Sequence, residues 1–276
     1  MGSPLEPLEQ FGPYELHELI NTGGMSEVWL ATDSTQKHYA LRRMLPVSTF
    51  AFTEKRRFDR GCEILQLVSD HPSIIKYVEH GKIRGRRYML MEYLEGQNLK
   101  LLAAENDPVL EQNIGDILIA AASALEHVHD CNFIHLDFKP ENVLLSRNAS
   151  VRLVDFDLSK PRPDKPEKAK DNPGTPPYMS PEQLQRLPYD HRVDIFAFGV
   201  TAYELLTGQK PFPADSPDEI LRRHLNRQDF VDPRLINPEI PMAMEKVILK
   251  CLHQDMDERY PHMSVLVRDL QAALYI

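Results

Sequence analysis

The feature that most narrows the possible folds is a change of hydrophobic period about a third of the way along the chain. Bulky residues alternate through residues 14–20, and a second apolar run follows at 27–31 after a bend at Gly23-Gly24. Alternation with a period of two and glycine at the bend predicts a β-hairpin. A third strand is expected over 38–42, and short strands over 74–78 and 87–93. Between them Phe58, Cys62, Leu65 and Val68 recur at three- and four-residue steps, which predicts a helix over 53–69. After a break at Glu95-Gly96-Gln97 the period becomes helical, over 113–129, 193–206 with a stop at Gly208, 245–252 and 264–273. Residues 161–173 are rich in proline and charge and are expected to form a loop. No internal repeat is visible. A strand-rich segment followed by a helix-rich one makes the fold class α+β.

A chain of 276 residues has room for one large domain or for two lobes sharing a cleft. Its net charge of −9 argues against a general nucleic-acid or anionic-membrane binder, which presents a basic face. Cys62, Cys131 and Cys251 are far apart and form no CxxC pair, so neither a zinc knuckle nor a disulfide framework is implied. They are expected to be reduced thiols packed as small apolar residues. Residues 1–14 are acidic and proline-bearing and lack the apolar run of a signal peptide. Gly2 follows Met1, but Glu6 stands where a myristoylation signal has serine or threonine. No stretch approaches the roughly 20 apolar residues that span a bilayer. The expectation is a cytoplasmic location with no membrane segment within this sequence.

Polar residues at fixed spacing carry the chemistry. His135-Leu136-Asp137-Phe138-Lys139-Pro140-Glu141-Asn142 is followed by Val154-Asp155-Phe156-Asp157, then Gly174-Thr175, Ser180-Pro181-Glu182 and Asp194-Ile195-Phe196-Ala197-Phe198-Gly199. Each alone is weak; Gly23-Gly24, for instance, is by itself an ordinary turn. Their order resembles the signature series of the eukaryotic-type (Hanks-type) protein Ser/Thr kinase family. The resemblance runs from residue 14 to about 274, and residues 23–28 are similar in flavour to bacterial members.

The resemblance implies a protein-kinase-like two-lobed fold, with a small antiparallel-sheet N-lobe carrying one main helix and a larger, mainly helical C-lobe. The implied boundaries are an N-terminal extension over 1–13, the N-lobe over 14–91, a hinge over 92–97 and the C-lobe over 98–276. It further implies ATP and Mg²⁺ as cofactors and a protein substrate or regulated protein partner. Asp137 then matches the catalytic-loop aspartate and Lys139 the lysine of Ser/Thr-directed members. Asn142 and Asp155 match the magnesium ligands, and hard oxygen donors suit that ion. By the same resemblance, Gly23 and Arg42 are expected to face the phosphates, and Val28, Ala40 and Leu144 to sandwich adenine. Glu92 and Leu94 are expected to offer backbone groups beyond Met91, which resembles the gatekeeper, and Asn98 to reach the ribose. Glu182 and Arg259 match a structural ion pair. Asp194 matches the residue that holds the catalytic-loop backbone, and His129 a packed histidine. Leu65, Tyr77, His135 and Phe156 match a stacked spine.

Departures from the pattern are equally informative. Aligned on GxGxxGxV, the loop keeps only Gly23, with Asn21 and Ser26 at the other glycine positions. Asn21 tolerates a positive φ, whereas Ser26 adds a side chain where backbone approaches phosphate. Arg42 stands where the family has lysine, a flat fork in place of a compact ammonium, while Arg43 points to the opposite face of the strand. Gly61 stands at the usual helix glutamate, and Glu63 lies about 200° around the helix from it. Leu136 replaces the arginine that receives an activation-loop phosphate, and the loop over 158–174 offers Ser159 and no threonine. Asp157 replaces a glycine. Two functions therefore stay open: a Ser/Thr kinase with atypical phosphate anchoring, and a pseudokinase acting as a nucleotide-binding scaffold or regulator. A small-molecule kinase is disfavoured by Thr175, the Ser180-Pro181-Glu182 segment and Asp194.

Overall fold

The computed structural model describes residues 9–46, 52–169, 171–172, 174–227 and 229–274. Residues 1–8, which hold most of the expected N-terminal extension and the Gly2–Glu6 comparison, lie outside the described residues. The chain divides into two units: one takes residues up to Asp70 together with Ile75–Glu95, the other takes His71–Ile74 and everything from Gly96.

The first unit is an antiparallel sheet with one long helix. Its strands are β1 (Glu9–Phe11), β2 (Tyr14–Thr22), β3 (Ser26–Thr32), β4 (His38–Met44), β5 (Tyr77–Ile83) and β6 (Arg86–Glu92), in the order β1-β2-β3-β4-β6-β5. The helix α1 (Phe52–Val68) turns Phe58, Gly61, Cys62, Ile64, Leu65 and Val68 inward, the face its spacing predicts, and packs against β5. On the sheet, Phe11, Tyr14, Leu16, Tyr39, Leu41, Tyr88 and Leu90 form one apolar cluster. The hydroxyls of Tyr14 and Tyr88 both donate to Glu79 Oε1, at 2.7 and 2.5 Å, so the buried rings leave no polar tip unsatisfied. The strand expected at 74–78 starts later, at Tyr77. Ile74 instead bridges to Leu153 of the other unit's own chain segment, because His71–Ile74 belong to that unit.

The second unit is mainly helical, with short strands. It comprises β7 (Gly96–Asn98), α2 (Leu99–Glu105), α3 (Pro108–Asp130), β8 (Phe133–Ile134), β9 (Val143–Ser146), β10 (Val151–Leu153), β11 (Lys160–Pro161), α4 (Pro181–Leu184), α5 (Arg192–Thr207), α6 (Pro217–Asn226), α7 (Pro233–Ile236), α8 (Met242–Cys251) and α9 (Met263–Leu274). Helix α3 begins five residues before the expected start. Asp107 caps it through Val109 and Leu110 N–H groups and Pro108 occupies the first turn, signals the apolar spacing alone does not register. Helix α5 is buried on every side from Val193 to Glu204, so it is the core of this unit. At Gly199 a side chain is excluded: an added Cβ falls 2.6 Å from Cys251 Cβ on α8. Cys62 and Cys251 are buried, Cys131 is half-buried, and none of the three is in a disulfide, as expected of packed apolar sulfur. The loop over 161–173, within which Lys170 and Pro173 are not described, is tied down at Glu167, whose backbone exchanges hydrogen bonds with Tyr189 at 3.1 and 3.0 Å.

The apolar seat of α6 carries a pH signature. His224 is 1% exposed, packed 4.3 Å from the Phe212 ring and 5.2 Å from Phe196, and neither ring nitrogen has a partner among the described residues. Burial, with the charges of Arg259 and Arg227, lowers its pKa to about 3. Below its ordinary value near 6.5 the unfolded chain binds a proton there that the folded chain refuses, so stability falls on acidification through that window. The contribution of His224 to this loss is about 2 kcal/mol between pH 7 and pH 5. Urea unfolding at the two pH values is expected to show a smaller loss by that amount in His224→Leu; an unchanged pH difference contradicts the assignment.

Candidate active site

The residues singled out by their spacing sit in the short connection between β8 and β9. Its backbone is shaped by one carboxylate. Asp194, fully buried in the first turn of α5, accepts the N–H of His135 on Oδ2 and the N–H of Leu136 on Oδ1, both at 2.8 Å. His129 Nε2 lies 2.9 Å from Oδ2. Burial alone pushes the Asp194 pKa up, but the His129 contact, the His135 charge and the backbone donor more than offset it and hold the pKa below the ordinary aspartate value. The two clamped N–H groups keep Leu136 at φ +66°, a left-handed conformation that leucine does not favour. Phe138 is 1% exposed, its ring 6.0 Å from Phe198 on α5, so the loop is anchored on both sides of Asp137.

Asp137 is thereby held at the surface of the loop with its carboxylate fully engaged. Oδ2 accepts Lys139 Nζ at 2.8 Å and Asn142 Nδ2 at 3.0 Å; Oδ1 accepts the Thr175 hydroxyl at 2.7 Å. Lys139 Nζ also donates to Thr175 Oγ1 at 2.7 Å, closing a ring of three side chains. Asn142, at the end of a 3₁₀ turn over Pro140–Asn142, sends its amide nitrogen to Asp137 O at 2.8 Å as well. That fixes the amide's orientation and makes Oδ1 its acceptor end. The N–H of Val154 donates to Asn142 O at 2.9 Å, which brings the Asp155 segment alongside. Asp155 is at φ +64°, and the Asp157 N–H reaches its Oδ1 at 3.3 Å. Phe156 stacks edge-on against His135 with centroids 5.0 Å apart. Of the expected spine, this pair is in contact, while Leu65 is buried in α1 and Tyr77 begins β5 in the other unit.

Asn98 and Leu144 are register partners of β7 and β9, hence adjacent. The Asn98 carboxamide is already in use: Oδ1 accepts the Leu101 N–H at 3.0 Å and caps α2. In the sheet unit, Val28 faces Arg42 and Leu30 faces Ala40 across β3 and β4. Ala40 in turn pairs with Met91 of β6, and Tyr39 with Glu92. The Glu92 N–H is engaged by Lys76 O at 2.9 Å, which removes it as a donor; Leu94 follows the end of β6. The loop at Gly23 closes through its N–H to Ser26 O at 2.8 Å. Asn21 does not need the positive φ anticipated for it: it is extended strand, paired with Val28 in β2. Arg43 does point away from Arg42, lying 4.9 Å from the Phe11 ring and bonded to Glu9 and Glu27.

The segment after Asp157 is held by packing and hydrogen bonds. Leu136, at the position of the expected phosphate-receiving arginine, is buried with Ile134, Tyr189 and Val193. Ser159 is fully buried and its hydroxyl donates to His135 O at 3.1 Å. Further on, Asn172 donates to Gln183 O at 2.6 Å, and Glu182 takes both ends of the Arg259 fork at 2.7 and 2.8 Å. Spacing alone did not disclose that Thr175 bridges Asp137 and Lys139, or that the Ser26 hydroxyl accepts from Arg42. For the second, strand period puts Ser26 on the face of Val28, two residues away, but does not show which side chain of the next strand it meets.

This geometry accompanies a family match over nearly all of the chain: residues 14–270 match the protein kinase domain model, and the chain belongs to that family. It is 32% identical over 98% of its length to a probable serine/threonine-protein kinase of Streptomyces coelicolor, covering 41% of that protein. It is 31% identical to the serine/threonine-protein kinase PknB of Mycolicibacterium smegmatis, over 93% of this chain and 42% of the relative. A probable serine/threonine-protein kinase of Clostridium acetobutylicum is 30% identical over 93% of the chain and 39% of its own length. The chain thus spans about two-fifths of the length of these bacterial relatives. Among the described residues, no helix is long and apolar enough to cross a membrane.

Removal of the Asp194 carboxylate leaves two buried N–H groups and His129 without their acceptor. Asp194→Ala is expected to lower the unfolding free energy by about 3 kcal/mol. Chemical denaturation measures this, and a loss under about 1 kcal/mol means the loop is held chiefly by packing.

Proposed function

We propose that this domain transfers the γ-phosphoryl group of Mg²⁺–ATP to a serine or threonine hydroxyl of a protein. The observation that supports this most directly is the engagement of Asp137 by Lys139, Asn142 and Thr175. In this reading the incoming hydroxyl takes the place of the Thr175 hydroxyl at Asp137 Oδ1. Its oxygen forms the new bond to phosphorus, the bond to the ADP oxygen breaks, and the carboxylate accepts the proton. Lys139 Nζ, pinned beside Asp137, supplies positive charge for the moving phosphoryl group. Asn142 Oδ1 and the Asp155 carboxylate are assigned to the metal; both are hard oxygen donors, and fixing the Asn142 amine on Asp137 turns the correct end of the amide outward. Mg²⁺ would neutralise charge on the phosphate oxygens.

The nucleotide assignments follow the same reading. Gly23 and Arg42 are assigned to the phosphates, Val28, Ala40 and Leu144 to the adenine faces, and the backbones of Glu92 and Leu94 to the adenine edge. Because the Glu92 N–H is occupied, its contribution is restricted to the carbonyl. With Oδ1 of Asn98 capping α2, the amide NH₂ is the group assigned to the ribose. Residues 14–91, 92–97 and 98–276 are assigned as N-lobe, hinge and C-lobe, and the location as cytoplasmic. The buried Leu136 and Ser159 support regulation that does not use a phosphorylated activation loop.

A second reading is a pseudokinase that holds nucleotide as a scaffold or regulator. Arg42, Ser26, Gly61 and Asp157, all departures from the family's pattern, favour it. Label transfer from Mg²⁺–ATP to the protein itself or to a generic basic protein decides between them. The expected result is transfer by the parent protein and a loss of at least about a thousandfold in Asp137→Asn, whose thermal shift with Mg²⁺–ATP persists. A thermal shift without transfer in the parent supports the scaffold; transfer that survives Asp137→Asn belongs to a contaminant.

A further inference from the structure

Two residues that replace expected glycine and lysine touch each other. Arg42 Nε donates to Ser26 Oγ at 2.9 Å. The contact follows from the ladder: Val28 faces Arg42 directly, and Ser26, two residues along β3, lies on the same sheet face at the diagonal position. A diagonal partner lies about 7–8 Å away, within reach of a long side chain and out of reach of a short one. Ser26 is 7% exposed, so its hydroxyl is a buried acceptor and not part of a solvated loop tip.

The central carbon Cζ of the same guanidinium lies over the Phe58 ring, 5.4 Å from its centroid. Phe58 is 3% exposed and sits three residues before Gly61 on α1, hence on the same helix face. The helix therefore meets Arg42 through an aromatic ring one turn before the position that bears no side chain. A guanidinium extends its donors over a planar fork, so it can meet one partner through Nε–H and another through the central carbon while its terminal nitrogens stay separate; an ammonium gathers its donors at one point. Serine on β3, arginine on β4 and phenylalanine on α1 are consequently a matched set.

We propose that Ser26 and Phe58 are positioning residues that orient the Arg42 guanidinium for nucleotide phosphate, the strand and the helix each holding one feature of the fork. This rests on the reading of Arg42 as a phosphate-directed residue. It also implies that Arg42 is an integrated replacement for lysine and not a decayed one, because a compact ammonium at this position cannot present one N–H edge to Ser26 and a carbon-centred plane to Phe58 at the same time as a free end for phosphate.

A double-mutant cycle tests it, read as the dissociation constant of a fluorescent ATP analogue with Mg²⁺ and, independently, as urea-unfolding free energy. Ser26→Ala is expected to weaken binding about fivefold when Arg42 is present and less than about twofold in the Arg42→Lys background. Ser26→Thr, which keeps the hydroxyl, is expected to bind within about twofold of the parent, and Phe58→Leu, which keeps apolar volume and removes the ring, to weaken binding by about threefold. The unfolding measurement is expected to show the same non-additivity between Ser26→Ala and Arg42→Lys without any nucleotide. Equal effects of Ser26→Ala in both backgrounds, or none in either, overturn the proposal while leaving the nucleotide site standing. Failure of the parent protein to bind the analogue at millimolar concentration overturns both readings.

Discussion

A carboxylate taken out of water is costly unless donors replace the water it loses, and at Asp194 the helical unit supplies them. Asp194 is removed from water in the first turn of α5, where the helix N-terminus favours negative charge, and it receives three donors: two backbone N–H groups and His129. The donors come from the end of α3 and from the connection after β8, so satisfying Asp194 brings the two chain segments together. The left-handed Leu136 and the anchored Phe138 follow from the same clamp. Asp137 sits between these two fixed residues, and that is why a loop residue is held in one place.

The carboxylate at Asp137 and the fork at Arg42 are presented by different means. Around Asp137 the partners are hydrogen-bonding side chains from the same loop and from Thr175, a network of polar groups that satisfy one another. On the sheet, consecutive arginines are parted by the pleat. Arg43 goes to one face, buried at 3% exposure among Phe11, Trp29, Glu9 and Glu27, and ties β1 to the sheet. Arg42 goes to the other face, toward Ser26 and Phe58. A one-residue slip of β4 would exchange the two, so the ladder with β3 and β6 specifies which arginine serves which role.

Leu136 and Ser159 both fasten the segment after Asp157 to the loop that carries Asp137. Leu136 joins Ile134, Tyr189 and Val193, while Ser159 bonds His135 O. The Glu167–Tyr189 bridge and the Lys160 ammonium, 4.4 Å from the Tyr189 ring, extend the attachment along the segment. The bidentate Glu182–Arg259 pair, with the arginine side chain fully buried, secures its far end.

The amino-acid sequence by itself determined the α+β division, the hairpin and the long helix α1, and it showed Asp137, Lys139, Asn142 and Asp155 as an ordered polar series resembling the family's. Period and loop spacing are local properties, readable over a few residues. Strands β7, β9 and β10, of three or four residues, were not legible because so short a run carries no period, and the start of α3 was set by a cap and a proline outside the apolar pattern. Only the tertiary structure decided that Glu92 has spent its N–H on Lys76, that Asn98 caps a helix, and that Ser26 and Phe58 meet Arg42. Those facts depend on which groups from distant parts of the chain already satisfy one another, and a hydrogen bond across a strand ladder or between a helix and a sheet leaves no mark in the order of residues.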